Sequence, residues 1–209
     1  MNNCVFCNLL KDRNNDLKVN KILYEDDLLV VIPAKGAPIQ GWILLVVKKH
    51  INGFAELSMD ELRHVEKIIE KINKLYLEHF NINSILLEHG STSEGRHPQS
   101  IIHAHMHLLP FNFNECIEKE LKEELQVRYI NSLLDISLNS KKDYWLYCDP
   151  KGEFYSSVNI ENVTRSIFMK LVARQIGMET HYDWRNATTN EKFLDKMIII
   201  FEKMNKSII

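Results

Sequence analysis

Three histidines alternate with apolar residues near the middle of the chain, at His103, His105 and His107. On an α-helix, a turn of about 100° per residue would place the second histidine on the opposite face from the other two. On a β-strand all three share one face over about 13 Å, and the apolar residues between them share the other. The alternation therefore predicts a strand, at 100–109, with a row of imidazoles along one face.

An imidazole row on a strand has three interpretations. Histidines at this spacing can hold a zinc ion with an open water site. They can also attack phosphorus as nucleophiles while neighbouring groups stabilise the charged oxygens. The third interpretation is a row of histidines without a chemical role, which the apolar surroundings disfavour. The residues alone leave the first two interpretations open.

Charge and hydropathy restrict the partners of this chain. The 26 Lys and Arg residues are balanced by 28 Asp and Glu residues, so the formal net charge is −2. This balance provides no overall basic field for nucleic acid. The longest apolar run, Trp42 to Val47, is far shorter than the roughly 20 residues that span a bilayer. The polar start lacks the form of a signal peptide. We therefore expect a cytoplasmic protein without a membrane partner and without a strong nucleic-acid signal.

The first half of the chain combines short β-prone runs with one long helix. The β-prone runs predict a hairpin and two further strands, at 21–24, 28–32, 42–47 and 84–88. Ser58 and Glu61 have the spacing of a capping box, and apolar residues follow them at intervals of three and four. This pattern predicts a helix over 59–79.

The remaining residues, 113–209, have a different pattern of predicted helices and strands. They predict an amphipathic helix, a hairpin and two more helices, at 115–129, 144–155, 162–176 and 190–205. No linker rich in Gly, Ser or Pro marks a boundary near residue 112. We therefore expect two units, 1–112 and 113–209, that pack against each other.

The residues around the histidine row resemble those of a known family. The segment from Gln99 to Pro110 is similar to the motif of the histidine-triad (HIT) family of nucleotide hydrolases and transferases. Other family features follow in the family's order: Cys4-Val5-Phe6-Cys7, Tyr24-Glu25-Asp26, Ala37-Pro38 with Gly41, and Lys48-Lys49-His50. The resemblance implies an α+β fold with a mainly antiparallel five-stranded sheet and one long helix, usually as a homodimer. The rest of the chain would be a mostly helical C-terminal extension with a hairpin.

The resemblance also implies roles for individual residues. In the family, the middle histidine attacks the α-phosphate of a nucleotide, and the nucleotidyl-histidine intermediate is resolved by water or another acceptor. That histidine is His105 here, while His107 matches the position that contacts the phosphate or the leaving group. Gln99 and Ser100 match loop positions that bind phosphate oxygens. The implied substrate is a dinucleoside polyphosphate, a phosphoramidate or a nucleotide sugar. The alternatives are a catalytically silent nucleotide-binding regulatory protein and a zinc-dependent hydrolase.

The chain departs from the family pattern at several positions. Pro98 replaces the usual glycine before the Gln-Ser pair, and Trp42 replaces a histidine that often follows the glycine of the third strand. Residues 31–34 contain no carboxylate where many members hold the ribose, and Glu88 stands where others have Asn. These departures affect recognition of the nucleoside more than the chemistry at phosphorus.

A second constellation consists of Cys4, Cys7, His50 and His103. In several branches of the family these positions form a Cys₂His₂ zinc site, so the resemblance implies a structural zinc with four protein ligands. The alternatives are reduced cysteines without a metal and a redox pair. The redox pair is disfavoured because the motif does not begin a helix after a strand in a thioredoxin-like unit.

The extension carries basic residues that are candidates for contact with the substrate. Lys170, Arg174 and Arg185 offer charge to a polyphosphate or a leaving group. The alternative for Arg185 is a pair with Asp183 around a buried Trp184. We expect the extension to dock beside the triad pocket, in its own chain or across a dimer, and to add positive charge there.

Overall fold

An antiparallel sheet with helices on both faces forms the described part of the protein. The computed structural model describes residues 4–12, 18–91, 101–158, 167–178 and 188–206. The strands are β1 Tyr24–Glu25, β2 Leu29–Pro33, β3 Ile43–Val47, β4 Ile85–Gly90, β5 His105–Leu109, β6 Arg128–Ile130, β7 Tyr144–Cys148 and β8 Phe154–Ser157. The α-helices are α1 Val5–Lys11, α2 Met59–Phe80, α3 Glu115–Leu125, α4 Ile167–Gln175 and α5 Glu191–Lys206, and 3₁₀ helices lie at Lys18–Asn20, Phe54–Glu56 and Leu133–Asn139. None of the helices in these ranges is both long and apolar enough to cross a membrane.

The sheet contains more strands than the resemblance implied. Its eight strands follow the order β1-β2-β3-β5-β4-β7-β8-β6, and the neighbouring strands are antiparallel. The α+β class is confirmed, and five of the strands come from 1–112 as expected. The extension adds the other three, because β7 pairs with β4 along its length. The division into 1–112 and 113–209 stays a prediction, and the sheet runs across it.

Strand β3 is buried on both faces, which agrees with its continuous apolarity. Ile43 and Leu45 belong to the core that α2 and α5 cover. Leu44 and Val46 belong to the opposite core, which contains residues of α1, α3 and α4. The sheet therefore separates two apolar layers, and any site on its second face lies between the strands and α1, α3 or α4.

Helix α2 confirms the capping box and the helix predicted at 59–79. The Ser58 hydroxyl accepts a hydrogen bond from the Glu61 N–H at 3.3 Å, and a Glu61 carboxylate oxygen accepts from the Ser58 N–H at 2.7 Å. This reciprocal pair satisfies two N–H groups at the start of the helix. Asn81 ends the helix in the left-handed conformation, at φ 57°. The helix buries one apolar face: Leu62, Val65, Ile68, Ile69, Ile72 and Tyr76.

The strand that carries the histidines begins later than the sequence predicted. Strand β5 starts at His105 instead of residue 100, which lies outside the described residues. Just before it, the Ala104 N–H donates to the Ile51 carbonyl at 2.6 Å, and the Ala104 carbonyl accepts from Val47 at 3.1 Å. Residue 104 is thus bonded partly to the segment after β3 and lies outside the regular ladder. His103 therefore precedes the strand, although its ring, like that of His105, packs against Phe6.

The extension contains the expected hairpin, β7–β8, together with a strand that the sequence did not predict. Helix α3 ends at Leu125 instead of residue 129, because Gln126 adopts the left-handed conformation at φ 51°. The chain then turns into β6, which pairs with β8 at the edge of the sheet. Helices α4 and α5 lie where two helices were predicted, and 162–166 lies outside the described residues.

Candidate active site and metal cluster

His105 and His107 line a cavity of about 170 Å³ on the second face of the sheet. Most of its lining is apolar and comes from α1, β2, β3 and α4, including Phe6 and Phe168. Both histidine side chains are half-buried. A small, mostly apolar cavity with two imidazoles in its lining can hold an apolar group of a ligand beside two ring nitrogens.

The His105 ring has one tautomer that its surroundings favour. Its Nδ1 lies 2.8 Å from the His103 carbonyl oxygen. A carbonyl only accepts hydrogen bonds, so Nδ1 carries the proton and Nε2 keeps its lone pair. The Phe6 ring packs on the imidazole with 5.1 Å between centroids and helps to hold its orientation. His105 therefore has the form that a nitrogen nucleophile needs.

The His107 ring has the opposite arrangement. The Trp42 indole N–H donates to His107 Nδ1 at 2.9 Å, and the two rings meet edge to face at 5.7 Å. Trp42 is 2% exposed and is the residue that departs from the family's usual histidine. In place of that histidine, the indole offers a group that donates a hydrogen bond and cannot accept one.

Burial holds both imidazoles in the neutral form. It lowers the pKa of His105, against the opposing effect of the bond to the His103 carbonyl. It also lowers the pKa of His107 to about 3, with the neighbouring His105 as the second cause. A neutral imidazole keeps one nitrogen lone pair, which accepts from Trp42 on His107 Nδ1 and remains on Nε2 of His105.

Cys4, Cys7, His50 and His103 come together in a second cluster, as the resemblance implied. Their ligand atoms all lie within 4.8 Å of one another. The Nδ1 atom of His103 lies 3.3 Å from Cys4 Sγ and 3.1 Å from His50 Nδ1, and Cys7 Sγ lies 3.2 Å from His50 Nδ1. Zinc bonds of about 2.0 Å to nitrogen and 2.3 Å to sulfur give a tetrahedron with edges of roughly 3.3–3.8 Å. The donor set and its spacing therefore fit tetrahedral zinc.

His103 is oriented for ligation by a bond on its far side. Its Nε2 donates to the Val47 carbonyl at 2.6 Å, so the lone pair of Nδ1 is directed to the two cysteines. A backbone carbonyl that fixes the tautomer in this way is the usual outer partner of a histidine ligand. His103 is 1% exposed, and burial is the first cause that lowers its pKa. A neutral His103 is the form that binds a metal.

The cysteine pair begins helix α1, but among the described residues no strand precedes this helix, so the pair does not have the thioredoxin-like setting. Cys4 caps α1, and its sulfur accepts a hydrogen bond from the Cys7 N–H at 3.5 Å. The pair faces two imidazoles whose nitrogens lie within 3.5 Å of a sulfur. That arrangement favours metal binding over dithiol chemistry.

The structure separates the other predicted site residues. Lys170 lies on α4 but is not among the residues that line the cavity. Arg174 makes a two-pronged ion pair with Glu120 of α3, at 2.9 and 2.5 Å, so its guanidinium serves the packing of α4 on α3. Gln99, Ser100 and Arg185 lie outside the described residues.

The cavity lining includes residues that were not expected from the sequence. Phe168 and Met169 on α4 line it directly, so the extension contributes apolar groups from its own chain. Asn20 and Lys35 add polar groups at its lining. Helix α4 is apolar around most of its surface, which indicates that Phe168 is buried. No local pattern indicates which surface α4 covers.

Comparison with known proteins places the first part of the chain in a family. Residues 3–122 match the family model described as "Scavenger mRNA decapping enzyme C-term binding". An uncharacterized HIT-like protein of Methanocaldococcus jannaschii is 29% identical over 111 residues, which are 51% of this chain and 78% of that protein. A second uncharacterized HIT-like protein, of Saccharolobus solfataricus, is 27% identical over 108 residues, which are 51% of this chain and 73% of that protein.

Among solved structures, a HIT-like protein of Bartonella henselae is similar to 53% of this chain and to 79% of its own. Its sequence is 25% identical, and the TM-score is 0.41.

Proposed function

Because the chain belongs to the scavenger mRNA decapping enzyme C-term binding family, and so to the histidine-triad (HIT) superfamily, we propose that it cleaves nucleotides at the α-phosphate. The reaction is that of a nucleotidyl hydrolase or transferase. One observation carries the proposal: the bond from His105 Nδ1 to the His103 carbonyl leaves Nε2 with a lone pair, on a side chain that lines a mostly apolar cavity.

The proposed reaction has two displacements. His105 Nε2 attacks the α-phosphorus, a P–N bond forms, and the bond from phosphorus to the leaving group breaks with its electron pair on the leaving group. The leaving group takes a proton from solvent or a neighbouring donor. Water or another acceptor then attacks phosphorus and loses a proton, the P–N bond breaks, and its electron pair returns to His105 Nε2. Donors beside the phosphate oxygens lower the barrier to both steps.

Other residues complete the proposed site. His107 serves the phosphate or the leaving group from the neighbouring position on β5, two residues along the same face. Gln99 and Ser100 bind phosphate oxygens, and Lys170 and Arg185 serve larger leaving groups. The homodimer and the cytoplasmic location stay predictions.

The Cys4, Cys7, His50 and His103 cluster is proposed as a structural zinc site. All four ligands come from the protein, which leaves no open position for substrate. A bound ion would supply a link between α1, the segment after β3 and the segment before β5. Zinc therefore acts on stability, and His105 and His107 carry out the chemistry without it.

Substitution of His105 tests the proposal. Wild-type protein and His105→Ala are assayed with adenosine phosphoramidate, dinucleoside polyphosphates and nucleotide sugars. We expect the variant to lose nearly all turnover while its circular dichroism spectrum stays unchanged. Acid-quenched wild type with substrate labelled at the α-phosphate should carry label on His105, detected by mass spectrometry. His64→Ala is the control, since it removes an imidazole of α2 that pairs with Asp26 and does not line the cavity.

The two rival functions predict other outcomes. A catalytically silent regulatory protein binds nucleotides but turns over none of the substrates, even as wild type. A zinc-dependent hydrolase loses activity with a chelator while the fold persists, and forms no phosphorus bond to His105. Full turnover by His105→Ala contradicts the nucleophile.

A further inference from the structure

Trp42 is held firmly at the start of β3. The residue before it, Gly41, has φ 91°, and a Cβ at this position would overlap Pro110. The Gly41 carbonyl also accepts a hydrogen bond from the buried Tyr76 hydroxyl, at 2.5 Å. These contacts fix the backbone from which the indole enters the second face of the sheet. The position of the Trp42 N–H is thus set by the fold and does not depend on a ligand.

The bond between Trp42 and His107 has only one polarity. An indole nitrogen is a donor and has no lone pair to accept with, so His107 Nδ1 must be the acceptor. In a neutral imidazole the proton is then on Nε2. The other tautomer, or the cation, would bring two N–H groups together at 2.9 Å and leave a buried indole donor without its acceptor.

The neighbouring His105 is set to the other tautomer by a carbonyl. The two imidazoles therefore differ at Nε2, which carries a lone pair on His105 and an N–H on His107, and both residues line the same cavity. The low pKa of His107, caused first by burial and second by His105, agrees with a ring that stays neutral in the working pH range.

We infer that Trp42 is a positioning residue that fixes His107 as a neutral Nε2–H donor to the phosphoryl oxygens or the leaving group. The inference rests on the proposed function for the identity of the acceptor, but the tautomer itself is a property of the free protein. His107 then stabilises developing charge through a hydrogen bond and is not the acid that protonates the leaving group. A histidine at position 42 would not impose this, because its ring can accept as well as donate.

Nuclear magnetic resonance tests the tautomer without any substrate. In the ¹⁵N-labelled wild type at pH 7, His107 Nδ1 should have the chemical shift of an unprotonated ring nitrogen and Nε2 that of a protonated one. A coupling across the hydrogen bond should connect Trp42 Nε1 with His107 Nδ1. This measurement on the unaltered protein stays valid even if variants at position 42 fail to fold.

Trp42→Phe then tests the consequence. It keeps an aromatic ring and removes the N–H, so the two ring nitrogens of His107 should move toward averaged shifts. We expect kcat to fall about tenfold or more, with a small change in KM. This loss is smaller than the roughly 10²–10³ for removal of an oriented donor, because the His107 ring itself remains. Trp145→Phe is the matched control, because Trp145 is a second buried indole, on β7 of the extension, and it stacks on His89.

Several results would overturn the inference. A proton on His107 Nδ1 in the wild type would contradict it. An unchanged His107 spectrum in Trp42→Phe would also contradict it. An equal loss of kcat in Trp145→Phe would reduce Trp42 to a packing residue. If the wild type turned over no nucleotide, the proposed function would fail, whereas the NMR result on the tautomer would stand or fall separately.

Discussion

The ring of Tyr144 lies directly over Gly90, where even a single Cβ atom would overlap it. The two residues are opposite each other in the pairing of β4 with β7, the junction at which the extension joins the sheet. The Tyr144 hydroxyl also accepts a hydrogen bond from the Ala55 N–H at 3.0 Å. One aromatic side chain thus attaches the extension to both a strand and the segment after β3.

Gly90→Ala should destabilise the protein, because the added methyl group forces the Tyr144 ring out of its position. Overpacking of this kind costs about 1–3 kcal/mol in the free energy of unfolding, which chemical denaturation measures. In a Tyr144→Ala background the same glycine substitution should cost little, since the ring is gone. Equal costs in both backgrounds would show that the ring is not what excludes a side chain at position 90.

Glu88 makes stability depend on pH. The side chain is 1% exposed, one oxygen accepts from the Phe54 N–H at 2.7 Å, and burial raises its pKa from 4.5 to about 7. A carboxyl with a raised pKa stabilises the fold fully below about pH 4.5 and loses that contribution as the pH rises through 7. Relative to Glu88→Gln, the wild type should therefore lose about 3 kcal/mol of unfolding free energy between pH 4.5 and 8.

Urea denaturation of both proteins across this pH range measures the effect of Glu88. Glu120→Gln is a control of opposite sign, because Arg174 lowers the pKa of Glu120. Parallel pH profiles for wild type and Glu88→Gln would contradict a buried carboxyl that titrates near neutrality.

The metal cluster predicts one zinc ion per chain. Native mass spectrometry of the purified protein measures this. Cys7→Ser and His50→Ala should each lower both zinc content and Tm. A loss of 2–3 kcal/mol lowers Tm by roughly 5–10 °C in a chain of this size. Cys116→Ser is the matched control, since Cys116 is exposed on α3 and lies outside the cluster. Zinc-free protein with the full Tm would refute the site.

Phe168 should determine substrate affinity because it lines the cavity from α4. Phe168→Ala enlarges the cavity and removes an aromatic surface, so KM for nucleotides should rise several-fold while kcat changes little. Leu171→Ala is the matched control, because Leu171 is buried on the same helix without lining the cavity. Both variants should lose stability, at about 2–5 kcal/mol. A similar rise in KM for both would point to loosening of α4 as a whole.

Lys35 and Lys170 offer two sources of positive charge. Lys35 lines the cavity, whereas Lys170 does not. We expect Lys35→Gln to weaken activity on dinucleoside polyphosphates several-fold more than on a phosphoramidate, because only the longer anion gains from the extra charge. Lys170→Gln and Arg185→Gln test the assignments made from the sequence. A larger effect at Lys170 than at Lys35 would favour the sequence assignment over the cavity lining.

Local patterns determined much of this fold. The capping box at Ser58 and Glu61 and the apolar periodicity after it are contained within a single helix, so the sequence alone located α2. The alternation at His105 and His107 likewise fixed which side chains share a face, because side-chain direction in a strand follows from backbone geometry. The Cys-His cluster was identified only through resemblance, since nothing local connects Cys4 with a histidine 99 residues away.

Tertiary structure decided the rest. The sequence predicts a hairpin at β7–β8. It does not predict that β7 pairs with β4, because any strand edge offers the same backbone donors and acceptors. Tyr144 packs over Gly90 only because β7 pairs with β4 in this register. The two residues are distant in the chain. The protonation pattern of the histidines has the same origin. His107 is 65 residues from Trp42. Only the pairing of β3 with β5 brings the indole N–H, which can donate but not accept, to His107 Nδ1.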